Sequence, residues 1–169
     1  DANRPAINPE LLKPIKFPER IIKGNDLKDF PPNEISRRAG KAVARIETIP
    51  AQGQLAEGFA TGFLISPNLL MTNFHVFPDS QYAKDCAANF LFERTMSGIN
   101  SGFQFSLDPV KFFIADSKLD FAIVYVEPVS LDKKFSLSNF GFLNLYATVG
   151  KITNGQPIHI IQHPNGGVK

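Results

Sequence analysis

The sequence predicts an all-β fold, a barrel or sandwich of short strands. Two observations carry this, and composition sets the size of the core. Short runs of β-formers recur at roughly 8–15-residue spacing, with turn residues between them. Only one stretch, Asn33 to Lys41, fits a helix of more than a turn. The 169 residues are 43% hydrophobic, with sixteen phenylalanines and no tryptophan, enough for one sizeable core or two small ones.

Composition also excludes partners. The net charge is +2 and no long Lys/Arg run appears, so nucleic acid is not expected. No apolar run approaches the ~18–20 residues that span a bilayer, so no membrane partner is expected. Cys86 is the single cysteine, which rules out an intrachain disulfide and permits a reducing compartment. His75, His159 and His163 show no ligand spacing with Cys86 or with paired carboxylates. No metal or other cofactor is therefore expected. The chain starts at Asp1 rather than methionine, so the lack of a leader says nothing.

Residues 1–33 hold six of the thirteen prolines and read as an extended arm. Asn33 caps the predicted helix, and Gly40 is placed to end it. Ala42 to Ile49 alternates as a strand, and Pro50 to Glu57 is a loop. Phe59 to Ile65 is a strand in which Gly62 implies close backbone approach or a bulge. Ser66-Pro67-Asn68 turns the chain, and Leu69 to Thr72 returns it. This second run delivers His75 where a strand gives way to a loop. Histidine there suits proton transfer, because its unperturbed pKa lies near neutrality. An ordinary half-buried histidine is the plain alternative.

Gln81 to Ala88 reads as a loop with a helical turn, and Cys86 in it as structural. Asn89 to Phe92 is a strand, Thr95 to Ser101 a loop, Gly102 to Leu107 a half-buried strand and Lys111 to Ala115 another. Asp120 stands just before the run Phe121 to Val126, where a strand start could anchor it to orient an imidazole. A surface turn residue is the plain alternative, and Asp116 is its competitor. Pro128 to Asn139 reads as a connection between two halves, with Phe140 to Tyr146 packing on the second. Gly155-Gln156-Pro157 opens a strand through Gln162, and His163 to Gly167 is a turn.

The stretch Thr61-Gly62-Phe63-Leu64-Ile65-Ser66, then Leu70-Met71-Thr72-Asn73, then His75-Val76, resembles the histidine segment of trypsin-like serine peptidases. It is most similar to the bacterial V8-like branch. Leu119-Asp120-Phe121-Ala122-Ile123-Val124 resembles the family's aspartate segment, 45 residues beyond the histidine. Gly155 to Gly166 resembles the first strand of the second barrel, with His163 structural and His159 without an assigned role. Glu19 to Asp26 resembles a segment that leads into the domain in some bacterial members.

The resemblance implies a trypsin-like double β-barrel, with a first barrel over 34–130. Residues 131–169 would supply the connection and the opening strand of an incomplete second barrel. It implies a serine endopeptidase with His75 as general base and then acid, and Asp120 orienting it. The nucleophile, serine or cysteine, should sit in a Gly-x-Ser-Gly segment, and none of the ten serines has that context. The 169 residues alone are therefore expected to be inactive. The rest would come from a truncated portion, a second segment, or a piece cleaved off after Lys169. The partner implied is a protein or peptide substrate. A peptidase of the HtrA group is a close alternative within the enzyme class, set back by His163-Pro164. A catalytically inactive barrel acting as a protein-binding module is the alternative from another class. The single cysteine and the resemblance point to the cytoplasm, with secretion left open.

Overall fold

The computed structural model describes residues 33–50, 55–147, 155 and 160–169. The proline-rich arm, the Glu19 to Asp26 segment and His159 lie outside the described residues. Helix α1 spans Glu34–Lys41. Its cap is Asn33, whose extended backbone frees the side chain to accept the Ser36 N–H at 2.8 Å. Glu34 in the first turn and Arg38 and Lys41 in the last complement the helix dipole. Gly40 does not end α1. It is buried inside it, and its carbonyl accepts the Lys169 ammonium at 2.7 Å.

Seven antiparallel strands form one sheet: β1 Val43–Thr48, β2 Gly58–Ser66, β3 Leu69–Thr72, β4 Cys86–Thr95, β5 Gly98–Ser106, β6 Phe113–Asp116 and β7 Phe121–Tyr125. Their order is β5-β4-β1-β2-β3-β7-β6. The all-β expectation holds. The sheet is open between β5 and β6, yet it curls strongly. Leu107 bridges Val126 just past the ends of β5 and β7, with Glu127 N donating to Ser106 O at 2.9 Å. A short helical turn, α2, covers Ser80–Ala83.

Several boundaries differ from the sequence reading, each for a local reason. Thr95 to Ser101 is not a loop. Thr95 pairs with Gly98, so the connection is a tight turn at Met96-Ser97. Backbone pairing is indifferent to the polar side chains there, and Gly98 supplies a φ of 126°. β4 likewise starts at Cys86, inside the segment read as a loop. β6 begins only at Phe113, because the Asp108 carboxylate accepts the Val110 and Lys111 N–H groups and holds a turn. Residues 160–162 carry no strand, and 156–159 lie outside the described residues.

The core sits inside the curl. Ile46, Leu64, Leu70, Phe77, Val124 and Val126 are buried from five different segments. Phe90 and Phe105 meet edge to face at 5.7 Å, and Phe140 closes on both, at 4.9 and 5.5 Å. Phe140 ends a 3-10 turn, Leu137–Phe140. It thus belongs to the first core rather than to a second half, because the mouth of the curl is too apolar to leave open. Gly62 points inward, where an added Cβ would lie 2.7 Å from Leu70 Cδ2. Packing against the Leu70 and Ile46 side chains, neither close backbone approach nor a bulge, explains it.

The 3-10 turn Pro164–Gly166 packs on β2 and β1 from outside. Gly166 has φ 69°, and a Cβ there would lie 2.0 Å from the Gly58 carbonyl oxygen. Gly166→Ala is therefore expected to cost roughly 1–3 kcal/mol, read as a lowered urea midpoint.

Candidate functional site

The site forms where β3 ends and β7 begins. These strands pair antiparallel, with Thr72 opposite Ala122, so the chain leaving β3 lies beside the chain entering β7. After β3, residues 74–76 turn sharply, closed by the Val76 and Phe77 N–H groups on the Asn73 carbonyl at 3.1 and 3.4 Å. Phe77 is fully buried and packs edge to face on Phe59 at 6.4 Å. The turn is thus pinned to the core by its far end while His75 projects outward. On the other side, Asp116 caps the β6–β7 turn by accepting the Lys118 and Leu119 N–H groups at 2.8 and 2.9 Å. Asp120 leaves that turn with φ 49°. Its carbonyl and carboxylate both face the end of β3.

His75 and Asp120 meet. His75 Nδ1 lies 3.2 Å from Oδ1 and 3.1 Å from Oδ2, and the His75 main-chain N–H also donates to Oδ1 at 3.2 Å. The Asn73 amide donates to Oδ2 at 3.0 Å and to the Asp120 carbonyl at 3.2 Å. Desolvation pushes the Asp120 carboxyl up. Hydrogen bonds from the His75 backbone and ring, the ring's charge and the Asn73 amide outweigh it, and hold the group below the usual carboxylate range. An ionised carboxylate can only accept, so Nδ1 carries the proton toward it. That tautomer directs Nε2 away from Asp120 for proton exchange. Both side chains are about half exposed, at 45% and 49%. The pair is therefore open to an approaching group.

The other candidates separate from this pair. Asp116 serves its own turn. Cys86 is buried at the start of β4, donates to the Tyr82 carbonyl at 3.3 Å, and has its thiol pushed up to about 12 by desolvation and the Asp85 charge. Such a thiol is no nucleophile near neutral pH. Among the described residues no cluster of three His, Cys, Asp or Glu side chains could hold a metal ion. No described helix is long and apolar enough to cross a membrane.

His163 lies on the outer side of β2, fully buried. Its main-chain N–H donates to Thr61 Oγ1 at 2.8 Å, and Nδ1 lies 2.9 Å from the Gly167 carbonyl. Thr61 in turn accepts the Thr72 hydroxyl through its carbonyl at 2.8 Å, which links this turn to the strand that carries His75. Burial is the main force on the imidazole. With the Lys169 and Arg45 charges, and against the Gly167 hydrogen bond, it lowers the group to about 4. His163 is therefore neutral when folded, and unfolding lets it bind a proton near its ordinary value. Its contribution to stability is full above about pH 6.5 and is lost as pH falls through about 4. The loss should approach about 3 kcal/mol. Urea titrations across this window should show the slope, and His163→Gln should flatten it.

Asn73 was legible only as part of the motif around His75. Its bonds to Asp120 depend on strands 47 residues apart, so no local pattern announces them.

Comparison with known proteins adds two findings. The family model described as trypsin-like peptidase domain matches residues 60–169. Among curated proteins, the uncharacterized protein y4fB of Sinorhizobium fredii (strain NBRC 101917 / NGR234) is 36% identical over 154 residues, 89% of this chain and 23% of that protein. The chain thus spans about a quarter of the length of this relative.

Proposed function

The chain belongs to the trypsin-like peptidase domain family, and from that premise we propose that it supplies the histidine–aspartate half of a serine endopeptidase of the V8-like kind. His75 is the general base that takes the nucleophile's proton and then, as acid, gives it to the leaving amine. Asp120 holds the imidazole in the required tautomer and stabilises the imidazolium. The nucleophile and the oxyanion donors come from sequence outside these 169 residues, since no serine here stands in a Gly-x-Ser-Gly context. The substrate is a polypeptide, cleaved by acyl transfer. Residues 34–130 act as the first barrel, with Leu137 and Phe140 completing its core, and the chain up to 169 leads toward the second. The 169 residues alone are inactive.

One observation carries the reading. His75 and Asp120, 45 residues apart, meet with Nδ1 within 3.2 Å of both carboxylate oxygens, at an exposed junction of two strands. A carboxylate held there by three donors has a chemical use when the imidazole must become charged and little use otherwise.

Treatment of the complete protein with a fluorophosphonate tests the proposal. A single covalent adduct on a serine, lost when His75 is replaced, is the expected result. No adduct and no cleavage of an unfolded polypeptide would overturn it and leave the binding-module reading.

A further inference from the structure

We propose that Asn73 is a positioning residue for the His75–Asp120 pair, its side-chain amide clamping the Asp120 carboxylate and main-chain carbonyl together. The inference rests on the peptidase reading of that pair, but the clamp is a separate piece of geometry.

The Asn73 amide has two N–H donors, and two acceptors of Asp120 stand within reach, Oδ2 at 3.0 Å and the carbonyl at 3.2 Å. Asn73's own carbonyl accepts from Val76 and Phe77 and closes the turn bearing His75. One residue thus holds both partners: its main chain sets the imidazole and its side chain sets the carboxylate.

The need for a clamp follows from exposure. Asp120 is about half open to solvent and has left-handed backbone dihedrals, so nothing in the core fixes its side chain. Oδ1 is already tied by the His75 main-chain N–H. Without Asn73, Oδ2 would keep only the ring nitrogen, and the carboxylate could swing toward water about its last torsion. A donor fixed at the end of the neighbouring strand competes well with water, because its freedom is already lost on folding. The plainer role of Asn73, a residue that favours the turn, requires only its main chain.

The test separates the two roles. The Asp120 carboxyl and the His75 imidazole are titrated by carbon and nitrogen NMR in the wild-type protein, in Asn73→Ala and in Asn73→Ser. Serine keeps turn chemistry but is too short to reach both acceptors. In both variants Asp120 should titrate at higher pH than in the wild type, and the Nδ1–H signal of His75 should exchange faster with water. In the complete protein kcat should fall by up to about 10²-fold at unchanged KM. Wild-type titration of both groups in either folded variant overturns the clamp; the serine variant supplies this reading if the alanine variant does not fold. Altered titrations in a complete protein that cleaves nothing would sink the peptidase reading and leave the clamp standing.

Discussion

His75→Ala should lower kcat of the complete protein by about 10⁶-fold and leave the fold unchanged. The size follows from the role: without a base, the nucleophile keeps its proton, and residual turnover comes only from binding and the oxyanion donors. The intact fold follows from the packing. The imidazole projects from a turn that Val76 and Phe77 hold, through their bonds to Asn73 and the burial of Phe77. Asp120 also keeps the His75 main-chain N–H and the Asn73 amide. Asp120→Asn should cost about 10⁴-fold, because the amide can donate to Nδ1 and favour the wrong tautomer. Asp116→Ala should leave kcat near the parent value, since that carboxylate only caps its own turn. Steady-state kinetics with circular dichroism of each variant checks the set. Equal losses at Asp116 and Asp120 would contradict the assignment.

The largest expected loss of stability lies on the far side of the sheet. Glu47 is 1% exposed and stands among donors contributed by three strands. Asn89 donates to both its oxygens at 3.2 Å, the Gln104 amide donates to one of them, and Arg45 Nε lies 3.3 Å from the other. Arg45 in turn stacks 4.1 Å above the Phe92 ring and donates to the Ala56 carbonyl at 3.2 Å. Glu47→Ala removes the shared acceptor and leaves a nearly buried guanidinium with two amides to satisfy. The expected cost is about 3–5 kcal/mol. Replacing both charges, Arg45→Met with Glu47→Leu, should cost far less, because the desolvation of the ions disappears with them. Urea midpoints at an unchanged m-value decide between these outcomes. A single substitution as mild as the double one would show that the layer contributes nothing as a pair.

Much of the fold was legible because short runs of β-formers separated by turn residues make strands. Phe59 to Ile65 and Leu69 to Thr72 were readable as a hairpin, and β2 and β3 take those places around the Pro67-Asn68 turn. The Asn33 cap was equally legible, since an asparagine side chain can accept a free N–H of the first helical turn. The Thr95 to Ser101 segment was misread because its polar residues look like a loop. The ladder between β4 and β5 is made by backbone groups and does not depend on them. Gly40 was misread as a helix stop: it lies buried within α1, and its carbonyl accepts the Lys169 ammonium from the far end of the chain, a contact that no local pattern shows.

His75 and Asp120 could be singled out from the chain alone, because each ends or begins a run of β-formers inside a recognisable motif. That much is local, a matter of residue order and strand propensity. Their meeting is not local. It required β3 to pair with β7 in the register that sets Thr72 against Ala122, and the core under Phe77 to hold the turn in place. The Asn73 clamp, the burial of His163 beneath Thr61, and the layer around Glu47 were likewise decided only when distant strands came together. Hydrogen bonds of a few ångströms between residues dozens of positions apart depend on the assembled sheet, and the periodicity of one strand says which face is buried but not which distant strand pairs with it.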